Sequence, residues 1–304
     1  MLKFHRRVAL LLLAVVLTAA CAAPPPAAPL PPAAPEESRP VQLVRAAYGR
    51  MAAAKSYDLA FSMKMSSAAA ESELTITGTA SYFLQPAEIR LLMDMALRVG
   101  EGETTHTAQE QYIIAENDEV TMYFLRAGRW YKSAAAAPEL QQALAMDPAD
   151  DIKLFMENLR TAEIAGEELV GERPAYKIIA RTSGDMLHEL LPDTGEGAGV
   201  PESFFREAGD LQFTLWVDTE TETLVKCHAD LTEFMHQLAD AVDDFAAQKG
   251  LGPAAADALR VTLTDLKAEA EYTVANLGAA APFILPAAAA EAVNFEEERV
   301  KSKE

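Results

Sequence analysis

A single thiol, Cys21, stands directly behind the small residues of Leu17-Thr18-Ala19-Ala20. Ahead of it come Lys3, Arg6 and Arg7, then an apolar run from Val8 to Leu17. Basic, apolar and small-residue regions in that order make a secretory signal. The run is well short of the ~20 residues that cross a bilayer as a stable helix. An ordinary signal needs no cysteine at the cut. Lipidation does, because a thiol must accept the diacylglycerol. The spacing therefore predicts cleavage before Cys21 and acylation of its sulfur, the alternative being ordinary cleavage beside an incidental cysteine.

Other reactive groups form no catalytic or metal-binding pattern. His5 leaves with the signal. His106, His188, His228 and His236 show no metal-ligand spacing, and neither HExxH nor CxxC occurs. Asp240, Asp243 and Asp244 share a predicted helix and read as a solvated face without a calcium-loop pattern. Gly195, Gly197 and Gly199 follow a helix rather than a strand, which argues against a phosphate cradle. Ser203-Phe204-Phe205 lacks a nucleophile-elbow context. With Cys21 lipidated, Cys227 has no disulfide partner. It shares strand parity with Val225, Ala229 and Leu231 and reads as a small buried hydrophobe. The sequence calls for no enzyme activity, no metal and no cofactor.

Residues 1–20 are thus read as a signal and 21–40, mostly Ala and Pro, as a semi-rigid tether. One large domain follows over 41–295, with a charged tail at 296–304. Losing three basic residues with the signal takes the net charge from −20 to −23. A surface this acidic argues against nucleic acid as a partner.

Val41–Ala54 has the three-and-four spacing of an amphipathic helix. Period-two segments follow. Leu59, Phe61, Met63 and Met65 share one parity, as do Leu74, Ile76 and Tyr82, and then Ile89, Leu91, Met93 and Met95. Residues 107–115 and 120–125 continue the pattern. Short polar links between half-buried strands predict an antiparallel meander. Helices are predicted at 138–144, 148–159, 185–191 and, with Gly250 as its end cap, 231–249. Further strands are predicted as hairpins at 169–182 and 211–230, and as a pair at 259–263 and 267–276. The four methionines are placed on two neighbouring strands, as core packing or as the lining of a patch for apolar ligands.

Three segments carry a family likeness. Tyr112-Ile113-Ile114 through Arg129-Trp130-Tyr131-Lys132 is similar to a hairpin ending in Gly-x-Trp-Tyr-Lys. Trp216-Val217-Asp218, with Thr221, Leu224 and Lys226, is similar to a hairpin opened by Asp. Pro282-Phe283-Ile284-Leu285-Pro286 is similar to a closing segment. In this order, behind a lipidation site, they resemble the LolA/LolB/LppX-like lipoproteins. The resemblance implies an α+β fold: a curved antiparallel half-barrel with helices over its concave face. It further implies an apolar cavity for an acyl chain, lipoprotein or other hydrophobic ligand, or a module for an envelope partner with a self-filled cavity. Leu59, Phe61, Met63, Leu74, Ile76, Leu91, Met93 and Met95 are the expected lining, covered by the central helices near 137–160. The expected location is the extracytoplasmic side of the envelope, attached to the membrane through the lipid anchor. With Ala22 and Ala23 behind the cysteine, that means the outer membrane of a two-membrane cell, or the outer face of the plasma membrane in a one-membrane cell.

Cys21→Ser should move the protein out of the membrane fraction or block its maturation. Intact mass of the parent should show acyl chains on a chain starting at Cys21, since two or three chains at ~0.8 kcal/mol per buried methylene suffice for stable anchoring.

Overall fold

Alternation of apolar and polar residues gives a chain two chemically distinct edges, and only a pleated strand puts each on its own face. In the computed structural model that alternation becomes one sheet. The structure describes residues 37–84, 87–116, 119–134, 154–184, 186, 202–207, 209–295 and 297–298. Cys21, the tether up to residue 36, the loop at 195–199 and most of the predicted helices at 138–144, 148–159 and 185–191 lie outside the described residues, and the last two tether residues, 39 and 40, already belong to the first helix. Residues 154–158 are helical.

Helix α1 (Arg39–Ala53) opens the fold. The meander follows as β1 (Ser56–Ser67), β2 (Ser72–Leu84), β3 (Ala87–Val99), β4 (Thr105–Glu116), β5 (Glu119–Arg126) and β6 (Arg129–Ala134). The second half contains β7 (Leu159–Val170), β8 (Arg173–Ser183), short α2 (Glu202–Glu207), β9 (Asp210–Asp218) and β10 (Leu224–Asp230). Then come α3 (Thr232–Asp240), α4 (Val242–Lys249), α5 (Pro253–Asp265), β11 (Leu266–Ala275), α6 (Ala287–Ala290) and β12 (Val293–Asn294). Among the described residues twelve strands form one open, curved sheet in the order β12-β6-β5-β4-β3-β2-β1-β11-β10-β9-β8-β7. Every pairing is antiparallel except β12 with β6. The architecture is the α+β half-barrel expected from the sequence.

β1 and β11 join the halves, in register from Asp58↔Ala275 to Ser67↔Leu266. Side chains clamp both ends of this seam. Asn276 Nδ2 donates to Asp58 at 2.7 Å. At the other end Asp265 Oδ2 accepts from the Ser67 hydroxyl at 2.7 Å and the Ala69 amide at 2.6 Å. These donors hold the Asp265 carboxyl below its ordinary pKa, the Ser67 bond contributing most.

Helix α1 packs on β7, β9 and β10. It buries Leu43, Val44, Ala47, Tyr48 and Met51 in the same core cluster as the inward residues of both half-sheets. Arg39 and Arg50 on its outer side bond the Glu222 carboxylate at 3.0 and 3.3 Å, tying the helix to the β9–β10 turn. Phe155 adds a rim, with ring centroids 4.9 Å from Tyr48 and 5.5 Å from Phe213.

Four sequence readings change. Residues 259–263 are helical, not a strand. Pro253 behind Gly252 sets a first turn, and Ala256 and Leu263 are buried on one stripe while Val261 is exposed. β7 begins at Leu159, inside the predicted helix, and runs through 160–168, where no strand was predicted. It is an edge strand, exposed along most of its length and bulged at two places, so it lacks alternation. A bulge between Leu224 and Lys226 breaks the parity assigned to Val225. Val225 joins Ala175 and Trp216 on the outer face, while Leu224 and Cys227 enter the core. The predicted helix at 231–249 is two helices, α3 and α4, divided at Ala241, with Gly250 left-handed at φ 64° as its cap.

Asp218 opens the β9–β10 turn from a nearly buried position. Its Oδ1 accepts from the Glu220 amide, the Thr221 amide and the Thr221 hydroxyl at 3.0, 2.8 and 2.9 Å, and Oδ2 from Arg173 Nε at 2.9 Å. Burial pushes its pKa up, but these donors outweigh burial and hold it below the ordinary value. A depressed carboxyl stabilises the fold above its unfolded pKa, about 4, and that stabilisation fades as pH falls through the folded value. Asp218→Ala should therefore cost ~2–3 kcal/mol in denaturant melts at pH 7. The gap from the parent should narrow as the melts are repeated below about pH 4.

Candidate functional site

The eight residues singled out by parity lie on one face of three adjacent strands. The ladder β1–β2–β3 is unbroken, so parity survives across it. Met63 faces Ile76, which faces Met95; Phe61 faces Gly78, which faces Met93; Met65 faces Leu74. Leu59 and Leu91 flank Ala80 in the same way. The methionine pairs are thus on β1 and β3 with β2 between them, not on neighbouring strands. All eight fall in one hydrophobic cluster. Leu59, Phe61, Met63, Ile76 and Met93 are buried, and Leu74, Leu91 and Met95 are half-buried against them.

Gly78 shapes this patch. A side chain there would meet the Phe61 ring, whose Cζ lies 2.5 Å from a Cβ placed on the glycine, and the Leu92 carbonyl. The missing Cβ lets the ring lie across β2. Tyr57 and Tyr82 close one end, stacked at 4.9 Å between centroids. At the other end Met65, Leu74, Leu97 and Leu266 line a cavity of about 10 Å³ with Ser66, Ser67 and Ser72. It has room for a water and not for an acyl chain.

The two faces of these strands differ in charge. The concave face of β1–β4 carries no charged side chain among the described residues, because every acid and base there has the opposite parity: Asp58, Lys64, Glu73, Glu88, Arg90, Asp94, Arg98 and Glu110. On β4 the concave face turns polar without charge over the first four positions, with Thr105, Thr107, Gln109 and Gln111 abreast of Leu97, Met95, Met93 and Leu91, and is apolar again at Ile113 beside Ile89. Gln111 Nε2 donates to Gln109 Oε1 at 3.2 Å. Sequence reasoning missed this row. Its signal was the polar residues at the parity that is apolar on the three preceding strands.

The C-terminal segment straps the convex face. Gly278 N donates to Ser56 O at 2.6 Å, and the Phe283 ring sits 5.6 Å from Phe83 and 5.5 Å from Tyr112. Ile284 stays 89% exposed. The strap ends at β12 on β6, where Phe295 packs on Phe124 and Tyr131.

Three solved structures are similar to this chain. One is LppX from Mycobacterium tuberculosis, at 9% identity and TM-score 0.43, covering 81% of this chain and 99% of that one. Another is LprF from Mycobacterium bovis, at 14% identity and TM-score 0.44, covering 81% and 95%. A DUF1329 family protein from Desulfovibrio piger is more distant, at 9% identity and TM-score 0.22, covering 81% and 96%. No protein-family model matches, and no curated protein matches. LppX is a member of the lipoprotein group that the residues resemble. Likeness this distant assigns no ligand and no residue role.

The remaining sequence candidates are placed as follows. Cys227 is buried and its thiol is pushed up to about 12, chiefly by burial, so it is not a nucleophile near neutrality. His228 on β10 and His236 on α3 sit in different elements. Asp243 pairs with Arg260. No group of three His, Cys, Asp or Glu among the described residues could hold a metal ion. No helix among them is long and apolar enough to cross a membrane.

Gly78→Val should force the Phe61 ring off the sheet and cost ~1–3 kcal/mol, the range for overpacking. Chemical denaturation measures it. The same substitution at solvent-facing Thr79 should cost under ~0.5 kcal/mol.

Proposed function

We propose that this chain is a lipid-anchored, non-enzymatic protein of the cell envelope that holds an apolar ligand or acyl chain on the concave face of its half-barrel. The anchor is Cys21. The sheet is held off the membrane by the Ala/Pro tether, on the outer membrane of a two-membrane cell or the outer face of the plasma membrane.

The observation that carries this reading is the in-register patch on β1–β3, where Leu74, Leu91 and Met95 stay half-exposed. Core residues are normally covered completely, and exposed contiguous apolar surface marks a binding site. Methionine suits such a surface, since its flexible, polarizable side chain adapts to apolar ligands of varied shape. A second reading, an interaction module whose cavity is filled by its own side chains, draws on the near-complete burial of Leu59, Met63 and Ile76.

The neutral fluorophore N-phenyl-1-naphthylamine discriminates the two. The full-length Cys21→Ser chain should bind it. Met95→Asp in that background, a charge placed on the half-exposed part of the patch, should weaken binding at least ~10-fold while circular dichroism stays unchanged. No binding by the parent, or unchanged binding by the folded variant, would leave the self-filled module as the better reading.

A further inference from the structure

We propose that the ligand is a lipid with an uncharged, hydrogen-bonding head group, and that Thr105, Thr107, Gln109 and Gln111 on β4 read that group. This rests on the ligand-binding reading above and adds the class of ligand.

The first support is placement. Register sets Gln111 beside Leu91, Gln109 beside Met93, Thr107 beside Met95 and Thr105 beside Leu97. Neighbouring strands lie about 4.8 Å apart. An acyl chain on the apolar strands therefore has its polar end within one strand of this row. The second is chemistry. Each glutamine amide offers two donors and an acceptor. Among the described residues the bond between Gln111 and Gln109 uses one donor and one acceptor of the pair and leaves the rest for a ligand. Both side chains are half-buried, so their bonds form in a partly dry setting.

The third support is charge. The outer face of the same strands shows what solvent-facing positions here carry: Lys64, Glu73, Asp94 and Arg98. The inner face of β4 carries amides and hydroxyls instead at positions 105–111. On these four positions and the apolar strands β1–β3 beside them a free carboxylate or phosphate meets no cation, and a desolvated, unpaired charge is costly. The nearest cations of inward parity are Arg126, at the exposed end of β5 next to β4, and Arg129 on β6, which is paired with Glu298 at 2.8 Å. An ester, glycerol or other hydroxyl-bearing head needs no counter-ion and satisfies the row.

The test uses the full-length Cys21→Ser chain loaded with N-phenyl-1-naphthylamine at pH 8, with three competitors of one chain length: 1-monooleoylglycerol, methyl oleate and oleate. Monooleoylglycerol should displace the probe at ~10-fold lower concentration than oleate, as two to three net hydrogen bonds would give. The Gln109→Leu/Gln111→Leu chain should lose that advantage, so that monooleoylglycerol competes like methyl oleate, while probe affinity is kept within about twofold. If that variant does not fold, Gln109→Asn alone, which draws the amide back by one methylene, should lose ~3-fold of the preference. Equal displacement by oleate and monooleoylglycerol, or a preference that survives in the folded variants, overturns the proposal and leaves the apolar site standing. No probe binding by the parent overturns both.

Discussion

The pairing of β1 with β11 is the contact on which the rest of the structure depends. It joins strands about two hundred residues apart in sequence, and without it the chain has two separate sheets. The apolar row from Met93 through Gly78 and Phe61 continues across the seam into Tyr272, Cys227 and Leu215 only because this register holds. A one-residue slip would turn every inward side chain of β1–β6 outward. That explains why polar bonds are concentrated at its two ends, at Asn276–Asp58 and at Asp265 with Ser67 and Ala69. Each fixes register where an antiparallel ladder is free to fray. Such distant pairing also makes closure a slow step in folding, because chain entropy is lost before the contact stabilises anything.

The two halves joined there are unequal. The β7–β11 half carries α1 and α3, and its inward residues Leu211, Leu215, Ile178 and Val217 are completely covered. In the other half only β1 buries all its inward side chains; β2 buries Ile76, Ala80 and Tyr82, and by β4 no inward side chain is fully covered. Stability therefore rests mainly on the helix-bearing half and on the seam. The meander, held from behind by the Phe283 strap, is left to present a surface.

The meander was legible because alternation is a local signal. β1 to β5, the hairpin around Glu220 and Thr221 and the inward parity of all eight patch residues follow from period two and turn chemistry, while the place of Asp218 at the opening of that turn came from the family resemblance. What was not legible depended on partners distant in sequence. β7 alternates poorly since it is a bulged edge. Leu259, Val261 and Leu263 alternate like a strand, yet helix formers and Pro253 decide their conformation. The parity of Val225 fails at a bulge that no residue type announces. β2's place between the two methionine strands was implied by its position in the meander and needed only strict counting of strands.

Charge partition is the feature that links fold to site. An acidic chain keeps its concave face neutral from β1 to β4, although nearly a quarter of its residues are charged. Packing accounts for this on β1 and β2, where the face is buried. It does not account for β4, where exposure would tolerate Glu or Lys at little cost. Neutral polar side chains at half-exposed positions satisfy water when the face is empty. They also satisfy a hydrogen-bonding ligand when it is full, with no ion to desolvate in the exchange. A charged row would strengthen solubility and raise the desolvation cost of any apolar occupant beside it. The row on β4 is therefore where the charged outer surface gives way to an uncharged one.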